Sequence, residues 1–247
     1  MSFYEAMEKY YDDIFPLSQN NLLFLEKTFA DNSKQVLDLA CGTGNYALAL
    51  ATKGYRVMGI DLDKTMIELA QQKKIKALNN SSSENVSFLK GNMLHLSNIL
   101  NHTYDGAFCI GNSLVHLESA FEIATAIAET AKVLRRNSVL IIQIVNYNNI
   151  LKNNIQALPT LENKERGVSF ERFYRYNPHE HKIHFTGKLN LPDSSTRTNT
   201  VPLYPLQKKE LEKSLEEAGF RNMQFCGNFS GEAWSVESPA LISIAKT

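Results

Sequence analysis

One short stretch, residues 36–45, constrains this chain more than any other part of its sequence. It reads VLDLACGTGN. Its first four residues predict a buried strand, because they are mostly apolar and β-prone and the run is too short for a helix. Gly42 and Gly44 then allow a sharp turn and the close approach of a ligand. Asn45 opens a run of good helix formers, so the pattern predicts a helix whose first amides face the turn.

The turn is compatible with two kinds of ligand. Gly42, Gly44 and Ala47 have the spacing of a dinucleotide-binding turn, in which the helix N-terminus holds a pyrophosphate. Asp38 argues against a pyrophosphate, because its carboxylate would repel one and would attract the ammonium group of an amino-acid ligand. The stretch therefore favours a ligand with an ammonium group and a neutral thioether or a sulfonium. An NAD-type dinucleotide stays the alternative.

Composition narrows the choice of partners and compartment. Lys+Arg and Asp+Glu both number 26, so the formal net charge is zero and no basic excess points to nucleic acid. The first residues show no export signal, and no apolar run has the length that would span a bilayer. The chain has an odd number of cysteines without paired spacing, Cys41, Cys109 and Cys226. Such cysteines are typical of free thiols in a reducing compartment. We expect a cytoplasmic protein with no nucleic-acid or membrane partner.

Residues 37–44 resemble the first motif of the class I S-adenosylmethionine-dependent methyltransferases. In that family the glycine-rich turn contacts the methionine part of the cofactor S-adenosyl-L-methionine, and the product is S-adenosyl-L-homocysteine. The resemblance implies a methyltransferase with a Rossmann-like α/β fold. That fold has a seven-stranded, mostly parallel sheet with an antiparallel edge pair and helices on both faces.

Residues after the next two predicted strands complete the expected cofactor site. Asp61 ends the second strand, where a carboxylate can accept hydrogen bonds from both ribose hydroxyls. Asn92 follows the third strand, where the family usually has an aspartate that meets the adenine amino group; a plain turn is the alternative. In the family an N-terminal tyrosine often covers the cofactor, and the resemblance gives this role to Tyr11. The alternative is that Tyr11 packs in the core. The predicted cofactor-binding residues are Tyr11, Asp38, Ala40, Gly42, Gly44, Asp61, Leu62, Asn92, Met93 and Ile110.

The loop after the fourth strand is the expected meeting place of cofactor and methyl acceptor. Ligands of open α/β sheets bind outside the carboxyl ends of the strands, where the strand order reverses. Residues 111–117 resemble the corresponding loop of glycine and sarcosine N-methyltransferases, and the Pro-Pro loop of amino-methylating DNA enzymes is absent. We predict His116 and Asn112 as catalytic residues. For His116, a structural role at a helix start is the alternative.

The chain is predicted to have three parts. Residues 1–32 would form a helical cover, and residues 33–150 with 204–247 the cofactor-binding core. Residues 151–203 would form an antiparallel β insertion over the ligand edge, with a hairpin around 177–180 and a third strand near 196–201. His179, His181 and His184 lie in this insertion, but no Cys or acid completes a set of four ligands, so no metal site is predicted.

The acceptor is the least constrained part of the prediction. The residues expected to line the pocket include no clear acid–base pair. This mildly favours an amine nitrogen as the methyl acceptor, since a neutral amine needs only deprotonation and placement. In glycine N-methyltransferase an arginine at the end of the fifth strand grips the substrate carboxylate. This chain has Val145 there, with Arg172 or Arg175 as candidate replacements. We predict methyl transfer to a small-molecule amine. The alternatives are a small-molecule O-methyltransferase, an NAD-dependent oxidoreductase and a non-catalytic cofactor-binding protein, and no oligomeric state is predicted.

Overall fold

The computed structural model describes residues 3–29, 34–77 and 84–247. Its helices are α1 (Phe3–Ile14), α2 (Gln19–Phe29), α3 (Asn45–Thr52), α4 (Lys64–Ala77), α5 (Leu96–Ile99), α6 (Ala120–Lys132), α7 (Tyr147–Lys152) and α8 (Lys208–Glu217). Its strands are β1 (Gln35–Leu39), β2 (Arg56–Asp61), β3 (Val86–Lys90), β4 (Tyr104–Cys109), β5 (Leu134–Val145), β6 (Ala157–Asn163), β7 (Val168–Asn177), β8 (Lys182–Asn190), β9 (Thr196–Leu203), β10 (Arg221–Cys226) and β11 (Ala240–Lys246). Short 3₁₀ helices cover Met93–His95 and Leu114–His116.

The larger sheet confirms the predicted fold class. Its seven strands lie in the order β10-β11-β5-β4-β1-β2-β3. Strands β1 to β5 are mutually parallel, whereas β11 is antiparallel to both β5 and β10. The chain moves outward from β1 to β3 and then returns to β4 on the other side of β1. The strand order therefore reverses between β1 and β4, where this class of sheet binds its ligands.

Helices cover both faces of this sheet because its central strands are apolar on both sides. Leu37 and Ile142 face the core that contains α6 and α8. Val36 and Ile141, their sequence neighbours, face the core that contains α2 and α3. Successive side chains of a strand point to opposite faces, and a parallel sheet buried on both faces needs such a continuous apolar run.

The second sheet is the predicted antiparallel insertion, with one correction. It has four strands in the order β6-β7-β8-β9, and Asn177 pairs with Lys182 across the predicted turn. The sequence predicted three of these strands and missed β6. That strand lies at the edge of the sheet, is mostly exposed and contains Pro159. Proline cannot donate a ladder hydrogen bond, so it weakens the sequence signal of a strand and is tolerated at an edge.

Helix α1 joins the two sheets. Ala6, Tyr10 and Ile14 pack on Phe170 and Leu189 of the second sheet in a core of their own. Tyr10 faces this core, whereas its neighbour Tyr11, for which a core position was the alternative, faces the cavities described below. In the part of the chain that the structure describes, no helix is long and apolar enough to cross a membrane.

Candidate active site

Three neighbouring cavities lie along the carboxyl edge of the parallel strands, and Tyr11 and Ser113 border all three. We name each cavity after one charged residue. The Asp38 cavity, of about 350 Å³, is also lined by Thr43, Asn45, Tyr46, Ile110 and Gln143. The Asp61 cavity, of about 390 Å³, is also lined by Ala40, Gly42, Leu62, Asn92, Met93 and His116. The Arg172 cavity, of about 380 Å³, is also lined by Asn112, His116, Val145, Phe170 and Tyr174.

The backbone of the glycine turn has no room for larger side chains. Gly42 and Gly44 have φ angles of +54° and +77°, in the left-handed region that favours glycine. A Cβ atom on Gly44 would lie 2.5 Å from the Phe88 ring, and one on Gly42 would lie 3.1 Å from the Tyr11 hydroxyl. Ala40 also has a positive φ angle, of 56°. A non-glycine residue held in this region stores backbone strain, which is common at ligand sites.

A buried acid of β1, Asp38, and a partly buried acid of β2, Asp61, face this turn. Asp38 is only 3% exposed, and burial together with the charge of Asp61 raises its pKa. Burial is also the main cause that raises the pKa of Asp61. The backbone amides of Gly42 and Asp63 donate to the two Asp61 oxygens at 2.8 and 2.9 Å and orient the carboxylate. Neither acid has an ion-pair partner among the described residues, so a ligand with a cationic group or hydroxyl donors would stabilise both.

Helix α1 is fastened to the turn by a polar network. Asp12 pairs with Lys73 of α4 at 2.5 Å and accepts hydrogen bonds from Thr43 at 2.6 Å and Asn45 at 3.0 Å. Lys73 also donates to Thr43 and Asn45, at 2.7 Å each. This network, the Asp12 latch, holds Tyr11 over Gly42. Burial raises the pKa of Tyr11, so the phenol stays protonated.

The loop after β4 is fixed by Asn112. Its amide oxygen accepts from the Val145 amide at 2.9 Å, and its amide nitrogen donates to the Tyr147 hydroxyl at 3.0 Å. The residue has a positive φ angle of 69°. Asn112 therefore connects this loop to the end of β5. Both ends of its side chain have partners, so the predicted catalytic role stays a prediction and a positioning role has direct support.

His116 and Asn92 both line the Asp61 cavity. His116 ends a 3₁₀ helix that is also tied to the second sheet, since the Tyr204 amide donates to the Val115 carbonyl at 2.8 Å. Burial lowers the pKa of His116, which favours the neutral imidazole that can accept a proton. The Asn92 side-chain oxygen accepts from the Leu94 amide at 2.9 Å and caps the other 3₁₀ helix. One lone pair of that oxygen stays available to a ligand.

Sequence reasoning missed several residues that line these cavities. Gln143 lies in the Asp38 cavity and accepts a hydrogen bond from the Gly111 amide at 2.7 Å. A glutamine inside the apolar run of β5 was a usable signal. The Tyr46 hydroxyl, in α3, accepts a hydrogen bond from the Asn21 side chain of α2 at 3.1 Å. Nothing in the local pattern indicates that contact.

Comparisons with known proteins agree with this geometry. Residues 36–137 match a family model described as a methyltransferase domain. A glycine/sarcosine/dimethylglycine N-methyltransferase of Actinopolyspora halophila is 27% identical over 219 residues, which cover 87% of this chain and 36% of that protein. The chain thus spans about a third of that relative's length. A glycine/sarcosine N-methyltransferase of Aphanothece halophytica is 26% identical, with 90% of this chain and 80% of that protein covered. An O-methyltransferase, rstn1, of Aspergillus nomiae is 34% identical over 47% of this chain and 49% of its own length.

Solved structures share the whole architecture. The CcbJ methyltransferase from Streptomyces caelestis superposes with a TM-score of 0.80 at 18% identity, covering 98% of this chain and 96% of its own. CalS10, an amino pentose methyltransferase from Micromonospora echinaspora solved with S-adenosylmethionine, has a TM-score of 0.69 at 17% identity, with 100% and 98% covered. Residues 36–137 thus match a methyltransferase domain, and the whole chain has the fold of the class I S-adenosylmethionine-dependent methyltransferases, as the glycine turn predicted. The comparisons support S-adenosyl-L-methionine as its cofactor over the dinucleotide alternative.

Proposed function

We propose that the enzyme binds its cofactor across the Asp38 and Asp61 cavities and methylates an amine nitrogen of a small molecule in the Arg172 cavity. The observation that carries the proposal is the position of Tyr11 and Ser113, which border all three cavities. A cofactor that spans the first two cavities would present its reactive centre at this junction. The third cavity then has the position expected for the acceptor.

The chemistry of the cavity walls fits S-adenosyl-L-methionine. Asp38 is a buried carboxylate without a basic partner among the described residues, as an ammonium ligand requires. Asp61 is held by two backbone amides and keeps lone pairs for the two ribose hydroxyls. Leu62, 64% exposed, and Met93 offer apolar surface to the adenine beside Asn92. Ala40, Gly42 and Ile110 line these cavities and would shape the backbone and apolar walls around the remainder. Gly44 lines none of the three cavities and caps the helix α3 instead.

The proposed division of labour follows the predicted parts of the chain. The core, residues 33–150 and 204–247, would bind the cofactor. The helical cover of residues 1–32 would place Tyr11 over it, and the insertion of residues 151–203 would supply one wall of the acceptor cavity. The bound cofactor supplies a methyl group activated on a sulfonium. The chain then has to hold the acceptor atom in line with that methyl group, and such alignment can supply about 7–11 kcal/mol of the barrier.

The Arg172 cavity is compatible with an amine acceptor, and the names of two relatives favour nitrogen over oxygen. An amine has to be neutral to attack, and a cation nearby lowers the pKa of an ammonium group. Arg172 is such a cation, and no Asp or Glu of the described ranges lines the cavity to oppose it. His116 lies at the border with the Asp61 cavity and is held in its neutral form, so it can take up a proton. Two curated relatives are named as N-methyltransferases.

An O-methyltransferase is the second candidate. His116 is a usable general base, which a hydroxyl acceptor needs. The Aspergillus nomiae relative named an O-methyltransferase adds weight to this candidate.

The test is transfer of a labelled methyl group from S-adenosylmethionine into a fractionated small-molecule cell extract, with the Asp38→Asn variant as a control of low affinity. We expect one labelled product whose mass spectrum places the methyl group on nitrogen. A label on oxygen would favour the second candidate. No small-molecule product from an enzyme that still binds S-adenosylhomocysteine would contradict both candidates and support a macromolecular acceptor or a non-catalytic role.

A further inference from the structure

We infer that the acceptor carries a carboxylate that Arg172 binds, together with a flat apolar body that fills the cavity between the two sheets. This inference rests on the proposed function, because it takes the Arg172 cavity as the acceptor site. It concerns the class of acceptor and assigns a substrate-binding role to a residue of the insertion.

Arg172 is turned toward the cavity by the alternation of β7. Phe170, Arg172 and Tyr174 share one face of the strand and line the cavity, whereas Phe173 and Arg175 lie on the exposed face. One terminal nitrogen of Arg172 donates to the Pro159 carbonyl at 2.7 Å and fixes the side chain. The Nε atom is buried and has no hydrogen-bond partner among the described residues. A buried donor without a partner is costly, so the protein leaves part of the guanidinium unsatisfied.

The charge of Arg172 also lacks compensation. Other arginines of the chain have partners: Arg166 pairs with Asp13, and Arg135 with Asp105. Over residues 3–29, 34–77 and 84–247, the wall of the Arg172 cavity includes no carboxylate. Burial lowers the pKa of Arg172, a sign of the same unfavourable desolvation. A guanidinium offers a planar fork of donors that matches a carboxylate, and the pair would remove this cost.

The rest of the cavity wall is largely aromatic. The rings of Phe15, Phe170 and Phe185 form a chain of two edge-to-face contacts, with centroids 5.8 and 6.3 Å apart. Tyr174 packs against Phe185 in a tilted contact, with ring centroids 5.2 Å apart. A cavity of about 380 Å³ with such walls is large for a two-carbon amino acid and suits a ring. Val145, in the place of the family arginine, adds apolar surface and no donor.

The inference is tested by binding, which does not require turnover. Enzyme saturated with S-adenosylhomocysteine is titrated by calorimetry with two isosteric pairs: L-phenylalanine against L-phenylalaninamide, and anthranilate against anthranilamide. We expect the carboxylate of at least one pair to bind about ten to a hundred times more tightly than its amide, the range for a charge-assisted hydrogen bond. If neither carboxylate binds more tightly than its amide, the inference is wrong.

Three variants test whether Arg172 causes the preference for the carboxylate. Arg172→Gln should abolish the preference for the carboxylate, and Arg172→Lys should retain part of it, because a lysine keeps the charge and loses the fork. Arg175→Gln, on the opposite face of the same strand, should leave it unchanged. Affinity for S-adenosylhomocysteine checks that each variant is folded. A preference that survives in Arg172→Gln would overturn the assignment. A preference present in the wild type without any methyl transfer would instead refute the proposed function and leave the anion site in place.

Discussion

The two halves of the candidate site carry opposite uncompensated charges. The Asp38 and Asp61 cavities contain one buried and one partly buried acid without ion-pair partners, and the Arg172 cavity contains a guanidinium without one, all within the described residues. The acids come from neighbouring strands of the large sheet, and the arginine comes from the second sheet. Opposite charges kept apart in one site indicate two ligands of different charge. The acidic half fits a cofactor with an ammonium group and ribose hydroxyls, and the basic half fits an anionic acceptor.

The largest effect is expected from removing the deepest acid. Asp38→Asn should weaken S-adenosylhomocysteine binding by about 2–5 kcal/mol, the usual cost of truncating one partner of a buried charge pair. Calorimetry measures the loss. Asp193→Asn, in an exposed turn of the insertion, is the matched control and should bind normally. An unchanged affinity in Asp38→Asn would mean that the acidic half does not hold the ammonium group.

The Asp38→Asn variant also tests the acidic half of the site through the pH dependence of its stability. The pKa of Asp38 is raised in the folded enzyme, so its contribution to stability is present at acidic pH and is lost as pH rises through the folded-state pKa. The melting temperature of wild-type apoenzyme should therefore fall over that range relative to Asp38→Asn. Saturating S-adenosylhomocysteine should remove the difference, because an ammonium group favours the charged carboxylate. Parallel pH profiles of the two proteins without ligand would contradict this.

Asp61→Ala should have the next largest effect. It removes the proposed acceptor of the ribose hydroxyls and should cost about 1–3 kcal/mol of cofactor binding. Methylthioadenosine, which keeps the ribose and lacks the amino-acid part, should lose as much affinity as S-adenosylhomocysteine does. Equal affinity of wild type and variant for both compounds would show that Asp61 does not bind the ribose.

The Asp12 latch should give the smallest effect. Asp12 and Lys73 are 43% and 26% exposed at their side chains, so solvent screens their pair. Asp12→Asn should destabilise the docking of α1 by about 0.5–1 kcal/mol, seen as faster amide exchange over residues 3–14. The difference should shrink in high salt. Faster exchange over the whole chain would instead indicate a global loss of stability.

Local patterns are the basis on which the sequence predicted the acidic half of the candidate site. Asp38 and Asp61 lie within strands β1 and β2, Gly42 follows β1, and the turn chemistry lies within a few residues. Their proximity then follows from the strand order of the fold. The large sheet and its antiparallel edge were predictable for the same reason.

Long-range packing explains what the sequence missed in the other half. Alternation along β7 separates Arg172 from Arg175, three residues apart, onto opposite faces. Which face meets the cavity depends on how the second sheet packs on α1 and on the loop after β4. The Asp12 latch likewise joins residues from three helices or turns far apart in the chain. No local pattern contains this information.

A crystal structure of the enzyme with S-adenosylhomocysteine tests the central claim most directly. We predict the homocysteine ammonium group within hydrogen-bond distance of Asp38, the ribose hydroxyls on Asp61 and the sulfur at the junction beside Tyr11 and Ser113, facing the Arg172 cavity. An amino-acid end directed into the Arg172 cavity, with its carboxylate on Arg172, would contradict the separation of the two charges. In that case the arginine would serve the cofactor and the acceptor would need another site.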